Sequence, residues 1–210
     1  YLRNQTCLHI IDSPIVINDG LLASYNDHQL SVESSTFELN IGSVLFSGSS
    51  SSFVDFSDVT VDLIEGTFSV TEDLPFTSID SSISILNGEV IFSDQSQSNW
   101  FSSTLSVQIF SGEPALLSFT ENTVNYFEDS TLETLGGSVS LRGDSQNSAD
   151  NLTITVQSGV LGMNNTATIS VIDSLFEVNF GSILIVDNTS MLLTQSEINM
   201  TAVGGDFTAL

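Results

Sequence analysis

Apolar residues recur along this chain at fixed distances from a series of glycines. The clearest instance runs from Phe176 to Ile185, where Phe176 and Val178 stand five and three positions before Gly181, and Ile183 and Ile185 stand two and four after it. A spacing of two alternates faces as a β-strand does, so each half of the unit turns one side to a core. Across the glycine the inward phase slips by one residue. A straight strand cannot do that, so the glycine is expected at a corner where a missing Cβ permits positive φ.

The corner glycines are Gly20, Gly42, Gly66, Gly88, Gly112, Gly137, Gly159, Gly181 and Gly205, with gaps of 22, 24, 22, 24, 25, 22, 22 and 24 residues. The four flanking slots hold an apolar residue in 33 of 36 cases, the exceptions being Ser24, Pro114 and Thr134. In a chain that is 40% hydrophobic this regularity marks an internal repeat. Self-similarity at this period means a solenoid, propeller or array. No window has a helical period, and the segments are rich in Val, Ile, Phe, Thr and Ser, which excludes helical repeats. The period is too short for a propeller blade and does not divide into the hexapeptides of a left-handed β-helix. An all-β, single-stranded parallel β-helix remains, of about nine coils of 22–25 residues, right-handed by the usual sense of parallel crossovers. Two strands of each coil flank the glycine. The third is placed around Phe53–Phe56, Pro75-Phe76, Trp100-Phe101, Tyr126-Phe127, Ile169–Ile172 and Leu192-Leu193.

Eight positions before each glycine a polar column reads Asp12, Ser34, Asp58, Asp80, Thr104, Asp129, Asn151, Asp173 and Glu197. These side chains bond their own backbone in turns, which is the expected role. A calcium ladder of oxygen ligands is the alternative chemistry, disfavoured because Asp58 and Asp80 are the only adjacent pair of aspartates. No metal, cofactor or catalytic residue is assigned. Carboxylates four before the glycine (Glu38, Asp62, Glu133, Glu177) spread along the rod as a solvated face rather than pairing at the separation glycoside hydrolysis needs. Arg142 is the sole basic residue in the body of the chain, and His9 and His28 lie near one end. The chain is read as non-enzymatic.

Composition narrows the partners. Twenty-six acids against two arginines give a net charge of −24, which repels nucleic acid and anionic membranes. No apolar run is long enough to insert into a bilayer. The single Cys7 is expected to be a buried thiol. Five N-glycosylation sequons begin at Asn4, Asn151, Asn164, Asn188 and Asn199. With no lysine and one cysteine, they favour an extracellular or cell-surface glycoprotein carrying N-glycans. Arg142-Gly143-Asp144 falls in a predicted turn and is read as an ordinary turn, with receptor recognition the sharper alternative.

Residues 1–210 read as one continuous solenoid without a capping segment at either end. Since solenoids protect their terminal edges, the coils are expected to continue in a longer chain or to self-associate end to end. A broken outward apolar stripe, Ala23, Leu45, Ile91, Ala115 and Leu184, offers a lateral contact.

Two short motifs carry a family resemblance. Phe37-Glu38-Leu39-Asn40 and Phe176-Glu177-Val178-Asn179 resemble the Phe-x-x-Asn half of polymorphic outer-membrane repeats, and Gly136-Gly137-Ser138-Val139 and Gly204-Gly205-Asp206-Phe207 resemble the Gly-Gly-apolar half. The resemblance implies a repeat-built β-helical surface or adhesin-like protein. The function expected is an extracellular structural rod, a spacer or filament subunit, with an adhesin or carbohydrate-binding module as the alternative.

Overall fold

Alternating apolar residues, short lengths and turn residues between them produce strands throughout. The computed structural model describes residues 2–3, 6–109, 116–201 and 207–209. They form three parallel sheets of ten, nine and nine strands, each strand pairing with its equivalents about one repeat away in sequence. The corner sheet begins at the glycines, as in Gly42–Ser47 and Gly66–Thr71. The aromatic sheet follows, as in Phe53–Ser57 and Gln97–Phe101. The approach sheet leads to the next glycine, as in Thr60–Leu63 and Leu175–Asn179. The chain is therefore a parallel β-solenoid of about nine coils, with the three strands per coil that its sequence pattern implies.

Glycine stacks on glycine. Gly20 pairs with Gly42, Gly42 with Gly66 and Gly66 with Gly88. The reason differs in part from the expected one. Gly20, Gly42 and Gly66 do take φ of 154°, 154° and 141°, but Gly88, Gly159 and Gly181 lie outside the positive-φ region. In those coils the residue before the glycine carries the left-handed turn: Asn87, Ser158 and Phe180 each have φ of 58°. Close approach is the constraint common to both kinds of corner. A Cβ on Gly66 would lie 1.5 Å from the Gly42 carbonyl oxygen, and one on Gly159 1.5 Å from that of Gly137.

In two coils some of the predicted inward slots are shifted. Gly112 and Gly205 lie outside the described residues, but the register around them is clear. Leu86 pairs with Gln108, while Glu89 pairs with Leu116. Three residues of one coil thus match eight of the next, an insertion of five. The inward slots of that coil are therefore Leu105, Val107, Leu117 and Phe119, all fully buried; of the predicted slots Val107 is among them, Ile109 and Leu116 are only half-buried, and Pro114 lies outside the described residues. Likewise Phe176 pairs with Ile198 and Ile183 with Phe207. The chain covers seven residues in one coil and nine in the next, so Ile198 and Met200 fill the approach slots.

The inward columns merge into one core. From Phe37 through Phe56, Phe46, Phe68, Phe76, Trp100, Phe92 and Phe119 to Phe127, consecutive rings lie 5.2–6.1 Å apart between centroids. Further along the rod the filling becomes aliphatic, with Ile154, Val156, Leu161, Ile169 and Val171 all buried. Where the aromatic sheet turns polar inside, it does so as a ladder. Ser98 donates to Asn125 Oδ1 at 2.6 Å, Asn125 Nδ2 to Asn147 Oδ1 at 2.9 Å, and Trp100 Nε1 to Ser98 Oγ at 3.0 Å. The partners offset the desolvation of these buried groups.

The in-register exceptions to the apolar slots lack such partners. Ser24 and Thr134 are buried, and neither hydroxyl has a hydrogen-bond partner. Thr134 sits between Val107 and Val156 in its column. Thr134→Val keeps the side-chain shape and removes an unpaired buried hydroxyl, so it is expected to stabilise by about 1 kcal/mol. A raised urea midpoint would show this; an unchanged or lowered one would contradict it.

A second ladder joins the aromatic and approach sheets. Asp12, Asp58, Asp80, Asp129 and Asp173 take φ of 48–53° there, as the turn column expected from sequence. The hydrogen bonding falls to the next residue, however. Ser35, Ser81, Ser103, Ser130 and Ser174 donate to the carbonyl two positions back at 2.7–2.8 Å. The same oxygens accept a backbone N–H from the adjacent coil, as Ser81 Oγ does from Val59 and Ser174 Oγ from Leu152. The register also corrects two members of the column: Ser102 and Gln195 hold the left-handed position rather than Thr104 and Glu197. Cys7 is exposed rather than buried, because Leu8 and Ile10 take the inward positions of its strand.

Candidate functional site

The three sheets present unequal outer surfaces, and charge separates them. Carboxylates occupy outward positions on the aromatic sheet (Glu33, Asp55, Glu128, Asp150) and the approach sheet (Glu38, Asp62, Glu133, Glu177, Glu197). Among the described residues the only acid in a corner-sheet strand is Glu89. Among the same residues the outer face of that sheet is otherwise Ser, Thr, aliphatic residues, Gly162 and Tyr25. The predicted apolar stripe is part of this face but is less exposed than expected: Ala23 is fully buried, Leu45 and Ile91 are half-buried, and Leu184 is 38% exposed. Ala115 lies outside the described residues, and by register Ser118 holds the stripe position in that coil. A shallow notch of about 160 Å³ opens over Gly162, lined by Leu116, Val160, Arg142, Asn164 and Leu184 among others.

The turns between the corner and aromatic sheets carry a second acidic column: Asp27, Glu72, Asp73, Asp94, Glu121, Asp144 and Asp187. Sequence reasoning missed it because loop lengths vary there, with Ser47 to Phe53 spanning more residues than Thr71 to Pro75. Ser49 and Ser51 donate to Asp27 Oδ1 at 2.8 and 3.0 Å, and these bonds lower its pKa. At Glu121 a hydrogen bond with Asp94 and the repulsion of that neighbouring charge raise the pKa. Open clefts lie along the column, one lined by Asn26, Asp27, Ser49, Glu72 and Asp73. Among the described residues no three carboxylate, His or Cys groups converge as a metal site.

The predicted sequons fall on several different surfaces. Asn4 lies outside the described residues. Asn151 and Asn199 are exposed at the turn column and on the approach sheet, and Asn188 is exposed at the acidic turns. Asn151 Nδ2 already donates to Asp129 Oδ1 at 2.7 Å. Asn164 is half-buried beside the notch, with its Oδ1 enclosed and unpaired. In the Arg142-Gly143-Asp144 turn, Arg142 Nε donates to Ser140 Oγ at 2.6 Å and Thr166 Oγ1 donates to the Asp144 carboxylate. Asn40 and Asn18, at the Phe-x-x-Asn position and its neighbour, bond to each other along the corner at 2.7 Å.

His28 is the one buried ionisable side chain among the described residues. It is 1% exposed, with Nδ1 2.7 Å from the Asn26 carbonyl oxygen and Nε2 enclosed without a partner. Burial lowers its pKa, outweighing the Asn26 hydrogen bond and the nearby Asp27 charge. The unfolded chain takes up a proton below the ordinary histidine value that the folded chain refuses, so His28 destabilises the fold as pH falls through that window. Relieved carboxylate repulsion acts in the opposite direction. The expected result is therefore differential: on going from about pH 7.5 to about pH 5.5, wild type loses more urea stability than His28→Gln. Equal pH profiles would contradict it.

Neither a protein-family model, nor a curated protein, nor a solved structure matches this chain.

Proposed function

We propose that this chain is a structural rod of the extracellular or cell-surface space, a spacer or filament subunit in a glycoprotein assembly. The observation that carries the reading is the stacking of coil on coil in three parallel sheets, with glycine on glycine from Gly20 to Gly88 and from Gly137 to Gly181. A repeat of this kind adds about 4.8 Å of length per coil and contacts only its neighbours, which suits a spacer. Exposed Asn151, Asn188 and Asn199 are the acceptors that would make it a glycoprotein. The surplus of carboxylates disfavours nucleic acid and membrane partners.

A second reading has its own support. Phe101 and Tyr126 stand outward on adjacent strands of the aromatic sheet with ring centroids 5.9 Å apart, a pair on which a sugar ring could stack. This favours an adhesin or carbohydrate-binding module of the β-helical surface type. Negative-stain microscopy of the native material separates the two. Regular fibres or extended spacers support the structural role; discrete particles that lose glycan binding on Phe101→Ala support the second.

A further inference from the structure

We infer that the outer face of the corner sheet is the surface on which a second copy of this chain docks, side by side. The inference rests on the rod reading and names its lateral contact. Two bodies of net charge −24 repel wherever carboxylates meet carboxylates. Each of the other two sheets sets at least four acids on its outer face, whereas the corner sheet has Glu89 alone among the described residues.

Exposed apolar side chains stand on this side too, here without the carboxylates that are interspersed with Ile11, Ile79, Val124, Ile172 and Leu192 on the aromatic sheet. Val160 and Leu184 are 37% and 38% exposed on the face itself. Ile41, Ile64, Leu135 and Phe180 line the glycine edge beside it at 40–74%. Phe180 is the most exposed of them, and it is held at φ 58°, a conformation unusual for a bulky residue. Solvent exposure of so large a ring in a strained turn is explained if a neighbour covers it.

The dimensions fit. Eight coils at about 4.8 Å and strands of four to six residues at about 3.3 Å make a flat patch of about 600 Å² per copy, at the lower end of what a specific dimer buries. The notch over Gly162 gives this otherwise flat face a recess that a partner side chain can enter. Charge also selects the orientation. The far edge of the face is the acidic turn column, and two such edges lie on opposite sides only when a two-fold axis runs along the rod, with both chains stacking their coils in the same direction.

Sedimentation equilibrium of the 210-residue chain tests this, with small-angle scattering on the same samples to report the shape of the rod. The expected wild-type mass is twice the 22.5 kDa of one chain, with association tightening as ionic strength rises from about 0.05 to about 0.5 M and screens the like charges. Val160→Glu with Leu184→Glu should give single chains with an unchanged thermal transition. Leu192→Glu, at a still more exposed apolar site on the aromatic sheet (58%), should still dimerise. A wild type that stays at 22.5 kDa at every concentration and salt overturns the inference, as does a Val160/Leu184 variant that remains dimeric or a Leu192 variant that dissociates. In each of those cases rod-like scattering leaves the structural reading standing; compact or unfolded scattering removes it as well.

Discussion

Gly159→Ala is expected to cost about 4 kcal/mol or to prevent folding, while Gly162→Ala, three residues further along, is expected to be neutral or slightly stabilising. The contrast isolates one cause. A Cβ on Gly159 would lie 1.5 Å from the Gly137 carbonyl oxygen and 2.7 Å from its carbon, atoms of the backbone that cannot rotate away. A Cβ on Gly162 meets nothing closer than 3.9 Å. Neither residue has φ in the positive region, so conformational strain does not distinguish them. Moving the coils apart to admit the methyl group would break the ladder hydrogen bonds of that corner, including Gly136 N–H to Gln157 O at 2.7 Å. Urea midpoints of the two variants provide the comparison. Equal midpoints would mean that the glycines are not packed coil against coil.

Trp100→Ala is the other substitution with a large expected effect, about 3–5 kcal/mol. Trp100 is 1% exposed and is the midpoint of the aromatic chain, with Phe76, Phe92 and Phe127 at 5.2, 5.7 and 6.2 Å. Its removal opens a cavity bounded by rings from three strands and takes away the Nε1–H that donates to Ser98 Oγ. Because coils stack in one dimension, the damage falls between the coils on either side of Trp100, within the aromatic part of the core. Trp100→Phe, which preserves ring contact and loses the hydrogen bond, should cost distinctly less. Chemical denaturation measures both, and the single tryptophan lets wild-type emission report the same transition. A Trp100→Ala variant as stable as wild type would contradict the packing described.

The corner slots were legible because a period of two beside a fixed glycine constrains each residue twice, once by burial and once by the absent Cβ. Phe37, Leu39, Val44 and Phe46 could therefore be placed inside from sequence alone, and they are buried. Insertions defeated the same logic. A glycine stands at nearly the right spacing at Gly112, yet five additional residues before Leu116 shift the frame, and Leu117 and Phe119 are inside instead of Leu116. The signal that would have found this was the aromatic at Phe119, in column with Phe92. The Ser35, Ser81, Ser103, Ser130 and Ser174 ladder was equally visible as a repeated serine, but attention to the acids beside it assigned their hydrogen bonds to the wrong residue. The corner sheet's lack of charge could not be seen until the strands were assigned to sheets, because Glu38 and Glu89 look alike in a linear sequence.

Distances between coils test the central claim most directly. In a Cys7→Ser background, nitroxide labels at Ser43 paired with Ser138, Val160 or Ser182 sit one residue past the corner, four, five and six coils apart by register. Pulsed electron resonance should then give separations growing in steps of about 4.8 Å, from about 19 to about 24 to about 29 Å. Distances that fail to increase in that order, or that spread over a broad range, would show that the coils are not stacked in register along one edge.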